Sequence, residues 1–413
     1  MGKIKIMLPY AQILLHNVHI MITENKIIIA GAGLVGTSLA LSLKRTELTI
    51  QILENHLPEI ITQSHHNTRP ISLSYGSVRT LKAIGVWDEL EKFACPILSV
   101  HVSEKGKFGF TTFSATEQKV PALGYVVPFS QLQSALYHQT AAQKNITFTA
   151  IESIEKIKCQ ANGAIIYFHS ASGKAEIKAD LFIAADGTHS TCRNLLGIAH
   201  SEKNEGDIAQ IYQLQLSENH NHTAYERFTK LGVLAVLPLF EKNKMQLVWT
   251  ITPTVAKKIA DWSDDTVLKF LQDSFEGRLD IMAAQKSAQF PLKITLAEKQ
   301  VTESAVLLGN SAHTIYPVAA QGFNLGLRDV TILTDTIIEA LKNKKNINDL
   351  SVLKKYEERA KKNQEAIFFI TNKLTPLFDL PLIGGLRGLG LLSIDLINPL
   401  KNKLAKRTMG VAK

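Results

Sequence analysis

Along the chain the spacing of apolar positions changes several times, and each change predicts an element. Residues 26–30, KIIIA, form an unbroken β-branched run ending at glycine, the pattern of a parallel strand buried on both faces. Residues 34–44 then take helical spacing, and 48–53 (LTIQIL) read as a second strand, which together make a βαβ unit. Helical spacing covers about 70–94, with a break at Gly85. Strands are expected over 97–113 and 120–127, with turns at Lys105-Gly106 and Pro121. A helix over 130–143 leads into strands at 147–151, 164–169 and 175–178, then an apolar strand over 180–186. From about 205 to 300 the runs lengthen and alternate (IAQIYQLQL, GVLAVLPL, KMQLVWTI), with one helix at 264–275, suggesting a separate α+β sheet. Residues 304–309 return to a buried strand, followed by a long helix near 322–343 and a helical, increasingly apolar tail from 351.

The 413 residues carry a net charge of +9, with 45% hydrophobic and 20% charged residues, which excludes a disordered chain. The three cysteines, Cys95, Cys159 and Cys192, are scattered and odd in number; they exclude a disulfide scaffold or CxxC site and suit a reducing, cytosol-facing compartment. A nucleic-acid role is disfavoured, because the lysines are dispersed without an aromatic-basic motif. No uncharged apolar run reaches the 18 residues of a confident transmembrane helix. The first stretch mimics a signal peptide, but Pro9, His16, Asn17 and His19 interrupt it. Residues 1–25 are therefore expected to be an extension outside the fold; the alternative is a short membrane-surface element.

Candidate chemistry begins at Gly31-Ala32-Gly33-Leu34-Val35-Gly36, which fits G-x-G-x-x-G between a strand and a helix. Gly31 suits the tight turn, Gly33 lets a pyrophosphate approach the backbone, and Gly36 lets the helix pack closely on the sheet. Glu54, at the end of the second strand, is placed to accept hydrogen bonds from an adenosine ribose. The fingerprint predicts a dinucleotide without choosing between NAD and FAD. Two later segments share its form of strand, small-residue turn and helix start. They are Ala185-Asp186-Gly187-Thr188 and Leu308-Gly309-Asn310-Ser311, the latter running on to Gln321-Gly322-Phe323-Asn324. A ligand approached from all three segments is long and buried, which favours FAD.

These segments resemble the FAD-dependent aromatic hydroxylases of the para-hydroxybenzoate hydroxylase superfamily, most closely its ubiquinone-biosynthesis hydroxylases. Arg69-Pro70-Ile71-Ser72-Leu73-Ser74, Tyr225-Glu226-Arg227-Phe228-Thr229 and Lys406-Arg407-Thr408-Met409-Gly410 extend the resemblance over about 27–410, nearly the whole chain. Within that group it points to the subgroup acting on 2-polyprenyl-6-methoxyphenol; the alternatives are a sister hydroxylase acting at another ring position and a weakly active FAD-binding subunit of a ubiquinone-biosynthesis assembly. The resemblance implies a Rossmann-like α/β FAD domain, a mixed-sheet substrate domain and a helical C-terminal segment. It implies NAD(P)H as cosubstrate, O₂, and oxygen transfer through a flavin C4a-hydroperoxide to a polyprenyl phenol. No protein nucleophile or metal is required. Asp186 and Gly187 are implied in contacts with FAD and NAD(P)H, and Asn310 in binding the ribitol. Pro317 is expected beside the reactive flavin edge, and the backbone of Gln321, Gly322, Phe323 and Asn324 along its pyrimidine side. Three departures stand out: Asn310 replaces the usual Asp, Ala320 a glycine, and Ser130 an arginine that reaches FAD.

Arg69 has two readings, contact with the cofactor phosphates or a structural salt bridge. His313 reads as a structural residue or one that supports the site from behind its lining. His101 and Tyr225 touch substrate or pack in a core, and Arg227 pairs with a nucleotide phosphate or with Glu226 or other acids. The ring-binding wall is expected on the strands around 235–239 and 246–250. The expected division is a FAD domain from 26–96, 128–200 and 301–345, with substrate-domain segments at 97–127 and 201–300. The tail, 346–413, combines an apolar stretch with Lys401, Lys403, Lys406 and Arg407, which suits docking on an anionic membrane face or packing onto the FAD domain. Other ubiquinone-biosynthesis proteins are the expected partners.

Overall fold

A computed structural model of the chain describes residues 26–57, 69–107, 109–204, 206–315, 321–377, 402, 405–407 and 409–411. The strand Lys26–Ala30, the helix Leu34–Ser42 and the strand Thr49–Glu54 form where the apolar spacing puts them. Lys26–Ala30 lies inside a six-stranded sheet, parallel to Thr49–Glu54 on one side and Leu181–Ala184 on the other. Ile146–Ala150 and Ala305–Leu307 extend the parallel array, and Val301–Thr302 closes one edge antiparallel. Both faces of this sheet are covered, which is why its strands are continuously apolar. The helices Gln321–Lys342 and Leu350–Leu377 pack on one face through Val330, Leu333, Ile337, Leu353 and Tyr356. An antiparallel meander, Ser153–Gln160, Gly163–Ser170 and Gly173–Ala179, covers the other.

The second layer is a seven-stranded sheet in the order Ile281–Pro291, Ile208–Leu216, Lys244–Ile251, Gly232–Pro238, Thr223–Thr229, Ser99–Glu104 and Phe110–Ser114. Its pairs are antiparallel except Thr223–Thr229 with Ser99–Glu104. The helix Asp264–Phe275 covers one face, burying Val267, Leu271 and Phe275 against Leu214, Leu234, Val236, Leu247 and Trp249. That helix has the expected bounds, capped by Ser263, whose Oγ accepts from the backbone N–H of Thr266.

Three expectations are corrected. The segment from 70 does not begin as helix: Pro70–Ser74 is a strand, and the helix Tyr75–Ala83 follows with Ser74 as its cap. Helical spacing is real from Tyr75, but Pro70 and the alternation of Ile71 and Leu73 favour an extended start. The stretch 97–127 does not lie in one sheet. Ser99–Glu104 and Phe110–Ser114 join the seven-stranded sheet, whereas Gly124–Pro128 pairs with Pro70–Ser74 and Cys95–Ile97 in a separate three-stranded sheet. Ser153–Gln160, Thr223–Thr229 and Ile281–Pro291 are further strands beyond those expected. The extension 1–25 and most of the tail after Leu377 lie outside the described residues.

Candidate active site

The register of the six-stranded sheet decides where the glycine-rich segments meet. Ala30 pairs with Leu53 on one side and Ala184 on the other, and Ala184 pairs with Leu307. Four neighbouring strands thus end at the same carboxyl edge, so Gly31–Gly33, Glu54, Ala185–Thr188 and Leu308–Asn310 stand side by side. In open α/β sheets this edge is where ligands bind.

Steric limits at the glycines show what each does. Gly31 has φ of +109°, and a Cβ there would lie 2.5 Å from the Ala185 carbonyl oxygen. A Cβ on Gly36 would lie 2.1 Å from the Gly31 oxygen, so the first helix turn closes directly on its own loop. Among the described residues a Cβ on Gly33 would meet nothing within 4 Å, which leaves its backbone open in front of the helix start. Val35 fills the notch left by two other glycines: Cβ atoms on Gly309 and Gly326 would come within 3.1 and 2.9 Å of its methyl groups. The first motif is thereby wedged against the third.

Glu54 accepts from the backbone N–H of Ala32 at 2.6 Å through one oxygen, and from Asn55 and His56 at 2.9 and 3.0 Å through the other. These bonds fix the carboxylate at the edge and leave lone pairs for a ribose. Asp186 turns inward on its own loop, accepting from Ser190 Oγ at 2.6 Å and the Cys192 N–H at 2.9 Å. Arg193, 2% exposed and unremarked in the sequence reading, donates to the carbonyl of Ser311 at 2.9 Å and reaches that of Thr188. It is a buried clamp between the second and third motifs. Asn310 is exposed, and its Nδ2 donates to Thr188 Oγ1 at 3.3 Å. A cradle made of open glycine backbone, a helix start and a fixed edge carboxylate fits an extended dinucleotide such as FAD.

A family described as "FAD binding domain" matches residues 24–368. The chain belongs to it. Among similar proteins is "3-demethoxyubiquinol 3-hydroxylase" of Escherichia coli, 29% identical over 401 residues, covering 94% of this chain and 98% of that one. "Ubiquinone hydroxylase UbiL" of Rhodospirillum rubrum is 26% identical over 391 residues, covering 94% and 90%. The solved structure of p-nitrophenol 4-monooxygenase PnpA from Pseudomonas putida superposes with a TM-score of 0.72 at 15% identity, over 94% of this chain and 100% of that one. The fold is that of this group of flavin monooxygenases.

The remaining expected residues of this FAD-binding chain are placed unequally. Gly322 and Phe323 lie in the first turn of the long helix Gln321–Lys342, half-buried, with open space where a Gly322 Cβ would stand. The Asn324 side chain is committed elsewhere: its oxygen accepts from Ser74 N and Ser77 Oγ at 2.8 and 2.7 Å, and its nitrogen donates to the Ser72 carbonyl at 3.0 Å. Asn324 therefore locks the three-stranded sheet onto the helix start. Arg69 is exposed, with its guanidinium 5.5 Å from the centre of the Phe129 ring, a contact neither of its two readings anticipates. Pro317, Ala320 and the Gln321 side chain lie outside the described residues. Ser130 is buried. His313 is structural: its Nε2 lies 2.5 Å from Asp329 Oδ2, and both residues are buried.

Side chains alternate between the two faces of the seven-stranded sheet. Tyr225 packs with the helix-side core, and His101 lies between Tyr225 and Phe110 in tilted ring contacts, its imidazole pKa pushed down first by burial and then by Arg278 and Arg227. Arg227 shares that face, fully buried, donating to the Ser274 carbonyl at 2.8 Å, Ser103 Oγ at 2.9 Å and Glu276 at 2.5 Å. Its acid is Glu276 rather than Glu226, and it is closed off from a nucleotide. Ala224 instead packs with Cys95, Ile97 and Val126 of the three-stranded sheet. Glu226 shares the Ala224 face, in register with Val102 and Ala235, and Ala235 is in register with Val248. Burial pushes the Glu226 carboxyl up to about 7. Cys95, His220 and His222 also lie together, but both ring nitrogens of His220 are engaged, with Leu239 O and the His222 N–H, and burial pushes the Cys95 thiol up to about 12. That trio reads as hydrogen-bonded packing.

Proposed function

We propose that this protein is an FAD-dependent monooxygenase that hydroxylates the ring of a polyprenyl methoxyphenol in ubiquinone biosynthesis, using NAD(P)H and O₂. The observation that carries the reading is the meeting of three glycine-rich loops and Glu54 at one sheet edge, in a chain whose full-length relatives include ubiquinone hydroxylases. Bound FAD supplies the redox chemistry, taking a hydride from NAD(P)H and activating O₂ for transfer of one oxygen atom. The chain binds and orients. Gly31, Gly33 and Gly36 give the pyrophosphate a backbone approach at a helix start, and Glu54 accepts from the ribose. Asp186 and Gly187 shape the middle loop, and Asn310 offers an exposed amide to the ribitol. The backbone at Gln321, Gly322, Phe323 and Asn324 presents the positive end of a helix to the flavin ring, which favours an anionic form. Pro317 is assigned to the flavin edge on the family resemblance. The strands Gly232–Pro238 and Lys244–Ile251 offer the substrate an aliphatic wall that excludes water.

Two readings of the ring position are distinguished by one experiment. The subgroup resemblance favours 2-polyprenyl-6-methoxyphenol, whereas the named activity of the Escherichia coli relative favours a sister hydroxylase acting at another carbon. Quinone intermediates are profiled in a deletion strain: accumulation of the 6-methoxyphenol supports the first and a different phenol the second. A full ubiquinone pool would overturn both. Purified protein is expected to be yellow and to oxidise NAD(P)H faster when phenol is added.

Contact with an anionic membrane surface is part of the proposal. A cleft of about 1110 Å³ is lined by Lys44, Arg45, Arg79, Arg359, Lys362 and Arg407, with Asp335 the acid among the lining residues described. Among the described residues no helix is long and apolar enough to cross a membrane.

A further inference from the structure

The substrate-side wall holds one group that neither folding nor cofactor binding uses. On the flavin-domain face of the seven-stranded sheet, the half-buried row Val102, Glu226, Ala235 and Val248 runs across four strands. At one end Ala224, Val100 and Leu237 are covered by Cys95, Ile97 and Val126, and at the other Val248 joins Ile211, Leu292 and Phe290. Among the described residues the Glu226 carboxylate has no hydrogen-bond or ionic partner, although the register flanks it with aliphatic side chains. The neighbouring cation, Arg227, points to the other face and is spent on Ser274, Ser103 and Glu276. A carboxylate half-buried among aliphatic groups without a protein partner has lost part of its hydration, and a donor from a ligand would restore it.

We infer that Glu226 is the polar anchor of the substrate wall: it accepts the hydroxyl proton of a neutral phenol in a hydrogen bond and repels rings that still carry a carboxylate. The inference rests on the proposed function and deepens it. The aliphatic row takes the apolar part of the substrate, and the charge-assisted bond orients the hydroxyl and enriches the ring in electron density. A carboxylated ring would place a second anion in the same apolar row, a like-charge penalty no cation on that row offsets. The titratable groups on the same face and its covering strand are Glu104, two positions along from Val102, and the Cys95–His222 pair at the covered end. Burial is the cause of its raised pKa, about 7, so the anchor ionises across the neutral range.

The test uses FAD-loaded wild type, Glu226→Gln and Glu226→Asp, titrated at pH 6 and pH 8 with a short-chain prenyl 2-methoxyphenol and with a prenyl 4-hydroxybenzoate. Flavin absorbance changes report binding, and product formation is followed in parallel. Wild type is expected to bind the phenol more tightly at pH 8 than at pH 6. Glu226→Gln should keep its FAD, weaken phenol binding by about 10-fold and lose the pH dependence, while Glu226→Asp restores part of both. The benzoate should bind Glu226→Gln better than wild type. Unchanged phenol affinity and pH response in Glu226→Gln, or loss of FAD from it, would overturn the inference alone. A wild type that binds FAD but hydroxylates neither ring would overturn the proposed function and the anchor with it.

Discussion

At the carboxyl edge of the parallel sheet the ligand-facing surface is backbone: Gly31, Gly33 and Gly36 present amides and oxygens, and side chains such as Val35, Arg193 and Asn324 brace the loops from behind. On the seven-stranded sheet the arrangement is reversed. There the backbone is consumed by ladder hydrogen bonds, and the proposed substrate wall consists of whatever every second side chain carries: Val102, Glu226, Ala235, Val248. A backbone site tolerates almost no change in shape but many changes in its surroundings, whereas a side-chain wall keeps its shape and changes its chemistry with a single residue. One scaffold can therefore hold a constant cofactor while the substrate varies.

Substitutions on each side should break that contrast in different ways. The largest effect is expected for Arg227→Met, which strands the Ser274 carbonyl, Ser103 and Glu276 and should destabilise the sheet by about 3 kcal/mol in denaturant unfolding. Next, Gly36→Ala forces a Cβ to within 2.1 Å of the Gly31 oxygen and should cost about 2–3 kcal/mol, with loss of bound FAD. Gly33→Ala meets no protein atom, so its melting temperature without FAD should stay unchanged while FAD affinity falls about 10-fold in equilibrium dialysis. Equal losses of stability in the two glycine variants would sink the distinction between packing and approach.

Glu226→Gln sharpens the other side. Its carboxyl ionises near 7 when folded and near the ordinary 4.5 when unfolded, so the folded state holds the extra proton between those values. Wild-type stability should fall as pH rises from about 4.5 to 7 through this group. The variant should match wild type at pH 4 and be more stable by about 1–3 kcal/mol at pH 8, read from urea midpoints. The smallest effect is expected for Asn310→Asp, whose charged acceptor at an exposed position should tighten FAD a few-fold without moving the melting temperature of the FAD-free protein.

The same contrast explains how far the chain could be read unaided. The fingerprint was legible because its glycines are contiguous and each answers a steric need within one turn, and Glu54 followed from strand length. The motif assigns the Asn324 backbone to the cofactor and says nothing of its side chain, which serves Ser72, Ser74 and Ser77, some 250 positions away. Arg193 was passed over because its partners, Thr188 and Ser311, become neighbours only when Ala184 and Leu307 pair. Tyr225, Glu226 and Arg227 lie consecutively, and nothing local says which faces the core and which the proposed substrate wall. The period of two separates Glu226 from its neighbours, and packing against Asp264–Phe275 identifies their side as the core.

By itself, then, the sequence determined the βαβ opening, the glycine loop and the dinucleotide it suits, because short-range sterics and hydrophobic runs act within a few residues. It also set the net charge of +9. Only the tertiary structure decided that strands 26–30, 181–184 and 305–307 end side by side, that Arg227 is buried and spent, and that Glu226 stands on the opposite face without a partner among the described residues. Those outcomes depend on strand register and layer packing, in which residues far apart in the chain compete to bury the same apolar surface.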